Sequence, residues 1–138
     1  LQPFKEQIKG EKSVFETFIF MWCLENLVPL AQFQKGEIFV TFYENLCVNP
    51  ENEINKIFSY INKPYSSDVM KKVKTPGIMS REKSAINQGT NLIRSWRKNI
   101  TDDQIQRALE ILKLFGLDMI YNGDEMPLKS GDELLSKL

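Results

Sequence analysis

Apolar residues recur at every third or fourth position over most of this chain, a pattern that predicts a largely helical protein. The most regular segment runs from Val14 to Gln34. Ser13 and Glu16, at its beginning, have the spacing of a capping box, which predicts a helix start. Pro29 lacks a backbone donor, so we expect a kink or a break inside this helix, and Gly36 is expected to end it.

Capping residues predict further helices along the chain. Their starts lie at Asn49 with Pro50, near Ser66 or Ser67, at Thr101 with Gln104, and at Ser130 with Glu133. The helix that starts at Thr101 is expected to end at Gly116. We interpret residues 122–138, which contain the last helix, as a C-terminal extension of the domain or a partner-binding segment.

One segment breaks the helical pattern. Residues 36–50 read GEIFVTFYENLCVNP, and the nearly continuous apolar run from Ile38 to Phe42 predicts a strand covered on both faces. Tyr43 and Glu44 would then lie at the carboxyl end of the strand, where open α/β sheets bind ligands. Such a strand needs neighbours, and the sequence offers none. Either the chain is part of a larger α/β protein, or the fold is mainly helical and the strand prediction is wrong.

Composition narrows the class of protein. With 138 residues, 42% of them hydrophobic and 26% charged, the chain suits a single soluble domain spanning residues 1–138. Eighteen basic residues balance eighteen acidic ones, so we expect no binding to nucleic acid. The longest continuous apolar stretch, Phe18 to Leu24, is too short for a membrane segment. The chain begins at Leu1 without a signal-peptide pattern, so we expect a cytoplasmic fragment of a longer protein.

The reactive side chains exclude several chemistries. The chain contains no histidine, which excludes the triads that need an imidazole and most transition-metal sites. Cys23 and Cys47 have no metal-binding spacing, so we expect reduced thiols and no metal. Between Ile78 and Asn91 the periodicity is lost, which predicts a long loop. Basic residues flank this loop on both sides.

The order of these motifs resembles one known family. FYENLCVNP, VKTPGIMSREK, SWRKNITDDQ and ILKLFG follow one another as in the C-terminal portion of sulfotransferases that use 3′-phosphoadenosine 5′-phosphosulfate, and the resemblance covers roughly Val14 to Tyr121. It implies an α/β fold of P-loop-like architecture, mostly helical here with one or a few parallel-sheet strands. It also implies transfer of a sulfuryl group to the hydroxyl of a small molecule, carbohydrate, lipid or protein.

The resemblance assigns roles to particular residues. Tyr43 would approach the adenine, since a phenol combines a stacking face with a hydroxyl, and Thr75 would contact the adenine edge. Pro76 and Gly77 follow Thr75 where cytosolic relatives tend to have Ser-Phe, so the stacking aromatic is missing. Contacts to the 3′-phosphate would come from the loop and its flanks, that is from Ser80, Arg81, Lys83, Arg94 and Arg97.

Two parts of the family's machinery do not occur in this sequence. No Gly-rich loop with a Lys is present to hold the 5′-phosphosulfate, and no catalytic base can be named. The resemblance therefore assigns these parts to a missing N-terminal half, and the chain alone is expected to be inactive. The alternative is a non-enzymatic helical protein-interaction module, with an aromatic stripe that includes Phe15, Phe18, Trp22 and Phe33 as a groove for a partner.

Overall fold

The computed structural model describes residues 4–10, 12–73, 75 and 91–136. Within these ranges the chain forms helices joined by turns and extended connections. They are α1 (Lys5–Lys9), α2 (Val14–Gln32), α3 (Tyr43–Val48), α4 (Pro50–Tyr60), α5 (Ser67–Val73), a 3₁₀ helix (Ser95–Lys98), α6 (Asp102–Leu114) and α7 (Gly131–Leu135).

The predicted α/β fold is wrong for this part of the chain. Helices make up 61% of the described residues, and these residues form no strand and no parallel sheet. The only strand-like pairing among them is an isolated bridge between Lys35 and Ile38. The run from Ile38 to Phe42 ends in extended backbone at Phe42 (φ −112°, ψ 138°), which immediately precedes α3.

Packing against helices explains the apolar run without a sheet. The Phe39 ring lies 5.4 Å from that of Tyr60 in α4. Phe42 is buried and meets the Tyr121 ring edge-on at 6.2 Å. Val40 lies against the first residue of α7. Helices and the C-terminal segment around Tyr121 therefore cover the apolar side chains that a strand would present to the layers above and below a sheet.

The helix starts were predicted correctly where capping residues marked them. Complete capping boxes open α2, α6 and α7 at Ser13, Thr101 and Ser130. In α4, the Asn49 side chain accepts a hydrogen bond from the Asn52 amide, and a proline follows the cap as predicted. Helix α2 continues through its interior proline, so the predicted break does not occur.

The core lies mainly between α2, α6 and the C-terminal segment. Phe115 meets Phe20 of α2 edge-on at 5.4 Å and stacks on Phe4 at 4.6 Å. Cys23 is completely buried, and this desolvation raises the pKa of its thiol to about 11. The buried cluster consists of Phe20, Cys23, Leu30, Phe42, Ile111, Leu112, Phe115, Leu117, Ile120, Leu134 and Leu135.

The segment interpreted as an extension contributes to this core. Leu134 and Leu135 of α7 are 1% and 9% exposed. The backbone of Gly131 lies so close to Val40 that a β-carbon built on it would be 2.2 Å from the Val40 carbonyl oxygen. Helix α7 is therefore in close contact with the extended residues that precede α3.

An ion pair also joins α2 to α6. Arg107 donates from Nε to Glu16 Oε1 at 2.6 Å. The Ser13 backbone amide and then the Arg107 guanidinium lower the pKa of Glu16 to about 2, because both stabilise its carboxylate. Glu16 thus both completes the capping box of α2 and pairs with Arg107 of α6.

Helix α2 is apolar on more than its buried side. By length and composition alone it could cross a membrane, with a mean hydropathy of 1.4 over 18 residues, although only 17% of that window is buried. It supplies Phe20, Cys23 and Leu30 to the core, as a helix of a globular domain does. Val14 and Phe18 are 74% and 66% exposed, so the described residues leave one face of α2 uncovered.

Candidate functional site

A cavity of about 470 Å³ lies between α2, the extended residues and the start of α3. We call it the Tyr43 cavity. Its aromatic and polar lining residues include Trp22, Phe39, Thr41, Tyr43, Glu44 and Tyr121. Its walls thus combine aromatic faces with hydroxyl groups and one carboxylate, and no lysine or arginine is among the described residues that line it.

Tyr43 lies at the mouth of this cavity. It is the first residue of α3, and it is 63% exposed. The Cys47 thiol, one helical turn further on, raises the pKa of its phenol, so Tyr43 is neutral at physiological pH. An aromatic ring exposed beside a cavity can stack on a planar ligand.

Glu44 and Tyr121 form a wall that the Tyr43 cavity shares with a second cavity. The Tyr121 hydroxyl donates to Glu44 Oε2 at 3.0 Å. Burial, followed by the negative charge of Glu44, strongly raises the pKa of Tyr121, which stays protonated and continues to donate. The hydrogen bond joins residues 77 positions apart and holds α3 on the C-terminal segment.

The second cavity, of about 220 Å³, lies between α6, the 3₁₀ helix and residues 121–125. We call it the Trp96 cavity. Its apolar walls include Trp96, Ile105, Leu109 and Leu112. A β-carbon on Gly123 would be 3.5 Å from Leu109 and 3.6 Å from Ile105, so the Gly123 backbone covers these side chains closely.

Arg94 and Arg97, both predicted to bind the 3′-phosphate, share a carboxylate partner. Their Nε atoms lie 2.7 Å and 3.4 Å from Glu125 Oε1. Arg97 also donates to the Gly123 carbonyl, and its guanidinium lies 4.8 Å from the centre of the Trp96 ring. The hydrogen bond from Arg94 lowers the pKa of Glu125, which is therefore ionised and offsets much of the positive charge.

Thr75, another predicted ligand, lines neither cavity. The Thr75 hydroxyl donates to the Lys71 carbonyl at 2.8 Å, at the exposed end of α5. Ser80, Arg81 and Lys83 lie outside the described residues. The structure thus brings Arg94 and Arg97 together on Glu125, a residue of the Trp96 cavity, and exposes Tyr43 at the other cavity.

Sequence reasoning missed three residues of these cavities. By its sequence pattern Trp22 belongs to the aromatic stripe of the alternative interpretation, and Tyr121 ends a short apolar segment. Glu125 lies in a polar, turn-rich segment that gives no helical or strand signal. Their roles depend on contacts between distant parts of the chain, which local patterns do not report.

Comparisons with protein-family models, curated proteins and solved structures found no match for this chain. Within the described ranges, no cluster of histidine, cysteine, aspartate or glutamate could hold a metal ion. The function must therefore be argued from the motifs and the two cavities.

Proposed function

We propose that this chain is the nucleotide-binding part of a sulfotransferase that transfers a sulfuryl group from 3′-phosphoadenosine 5′-phosphosulfate to an acceptor hydroxyl. The order of the motifs supports this proposal. Exposure of Tyr43 beside a cavity of about 470 Å³, a size typical of small-molecule sites, is the observation that carries it.

The described lining of the Tyr43 cavity suits adenine better than phosphate. Tyr43 and Trp22 offer aromatic faces, and the Glu44 carboxylate can accept a hydrogen bond from an exocyclic amine. Because no described cation lines this cavity, the proposal requires basic groups from elsewhere for the 3′-phosphate. Arg81 and Lys83 remain the proposed source of this charge, with the Ser80 hydroxyl as a further donor.

Arg94 and Arg97 fit a phosphate role only under one condition. Each must exchange its interaction with Glu125 for the incoming phosphate, whose greater charge and bidentate geometry favour the exchange. The contribution of this chain would then be to position the nucleotide for in-line transfer. The groups that activate the acceptor hydroxyl are not among the motifs of this sequence.

A melting experiment tests the proposal. A ligand that binds only the folded chain raises its melting temperature. We expect 3′-phosphoadenosine 5′-phosphate to raise it more than AMP at equal concentration, because only the former has a 3′-phosphate. Tyr43→Ala should remove most of the increase, whereas Tyr60→Ala, a tyrosine outside the cavity lining, should not. Equal increases with the two nucleotides, or none, would contradict the proposal.

A second function, a helical protein-interaction module, is favoured by the uncovered face of α2. Val14, Phe18 and Met21 are spaced by one helical turn and are all at least 49% exposed. Exposed apolar side chains in contiguous positions often mark interaction surfaces. A cooperatively folded monomer that responds to neither nucleotide would favour this function over the first.

A further inference from the structure

The Trp96 cavity combines apolar walls with a carboxylate. Most of its lining is aliphatic or aromatic, yet the carboxylate of Glu44 forms part of the wall it shares with the Tyr43 cavity. Apolar cavities of roughly 150 Å³ accept a benzene ring, so a volume of about 220 Å³ accommodates a ring with a short chain.

Glu44 retains capacity for another hydrogen bond. A carboxylate offers about four acceptor positions, and Tyr121 occupies one of them. Within the described part of the chain, no lysine or arginine forms an ion pair with Glu44. A half-buried carboxylate without an ion-pair partner among the described residues favours a positively charged ligand.

Asp124 and Glu125 are the other two carboxylates in the lining of this cavity. Asp124 accepts a hydrogen bond from the Asn122 side chain at 2.9 Å, and the charge of Glu125 is already compensated. Arg94 and Arg97 both pair with it, so its charge is directed to them rather than to a ligand. Among the described residues, Glu44 and Asp124 are therefore the lining carboxylates without an ion-pair partner, and Glu44 is the one that lies beside the Tyr121 hydroxyl. The Trp96 and Tyr121 rings add aromatic faces, which attract cations as well as apolar groups.

We infer that the Trp96 cavity binds a small organic ammonium ion whose apolar ring lies among Trp96, Leu109 and Leu112 and whose ammonium group meets Glu44. This inference does not depend on the proposed sulfotransferase function, although the two sites share Glu44: the nucleotide would lie on its Tyr43 side and the ammonium ion on its Trp96 side. The ammonium group would donate to Glu44 beside the Tyr121 hydroxyl, and the ring would replace water along the apolar walls.

Calorimetric titration with three probes of similar shape tests this inference. Phenethylamine is positively charged, phenethyl alcohol is neutral, and phenylpropionate is negatively charged. We expect saturable binding of phenethylamine with a Kd at or below about 1 mM, weaker binding of the alcohol, and none of the acid. Equal binding of the three probes, or no binding of phenethylamine, would overturn the inference.

Variants separate the charge from the apolar walls. Glu44→Gln should weaken phenethylamine binding by about tenfold or more, since a charge-assisted hydrogen bond is lost. Ala108→Leu, which adds volume to the cavity lining, should abolish binding while Glu44 remains. Glu51 lies outside this lining, so Glu51→Gln should leave binding unchanged. Unchanged binding in both Glu44→Gln and Ala108→Leu would contradict the site.

The outcomes distinguish this site from the nucleotide proposal. If the ammonium site alone is wrong, the chain should still melt at a higher temperature with 3′-phosphoadenosine 5′-phosphate and ignore phenethylamine. If the nucleotide proposal alone is wrong, phenethylamine should bind and neither nucleotide should change the melting temperature. Phenethylamine should also alter the fluorescence of Trp96, which a Trp22→Phe background isolates because the chain has two tryptophans.

Discussion

Gly131→Ala should destabilise the fold, because α7 begins directly against the backbone of Val40. The added methyl carbon would lie 2.2 Å from the Val40 carbonyl oxygen and 2.7 Å from its β-carbon. Rotation of a side chain cannot relieve a contact with a carbonyl oxygen, so α7 or the extended segment must move. That movement would displace Leu134, which is 1% exposed in the core.

The expected cost follows from two opposing effects. Overpacking costs about 1–3 kcal/mol, and the better helix propensity of alanine returns at most about 1 kcal/mol. We therefore expect the free energy of unfolding to fall by about 1–2 kcal/mol, which lowers the melting temperature by roughly 3–8 °C for a domain of this size. Urea unfolding followed by far-ultraviolet circular dichroism measures the change.

Two other glycines serve as controls for this substitution. At Gly10 a β-carbon would be 3.8 Å from its nearest neighbour, so Gly10→Ala should change stability little. Gly36 has open space around it but a φ of 95°, so Gly36→Ala tests backbone strain without a clash. If Gly131→Ala is as stable as the unsubstituted chain, α7 does not pack on Val40 and the description of this core is wrong.

Two further predictions follow from the ionisable groups. Because the pKa of Glu16 is about 2 in the fold against 4.5 ordinarily, its stabilising contribution is complete above pH 4.5 and is lost as the pH falls towards 2. Glu16→Gln should flatten this acid limb of the stability curve, and an unchanged limb would contradict it. Cys47 should react with a thiol reagent faster than the buried Cys23, whose pKa is about 11; equal rates would refute the burial of Cys23.

Helix starts were predictable because their determinants are local. Ser13, Thr101 and Ser130 each cap a helix with a partner three residues away, so the signal lies within four residues of sequence. The strand could not be predicted in the same way. A run such as Ile38 to Phe42 becomes a strand only if distant segments pair with it, and here it packs on helices instead.

The candidate site was predicted only in part for the same reason. Tyr43 was noted because it follows the apolar run; it lies exposed beside a cavity, and its role as a ligand contact stays a prediction. The motif reading did not include Glu125, whose pairing with Arg94 spans 31 positions. In the sequence, Arg94 and Arg97 resemble unpaired phosphate ligands. In the structure, the Glu125 carboxylate is an anionic partner that would compete with a phosphate.

Nucleotide binding at the Tyr43 cavity is tested most directly by a two-dimensional amide NMR titration of the isotope-labelled chain with 3′-phosphoadenosine 5′-phosphate. The account predicts saturable shifts concentrated at residues 38–44 and at Trp22, smaller for AMP and lost in Tyr43→Ala. No shifts at these residues, or the same shifts with both nucleotides, would contradict it.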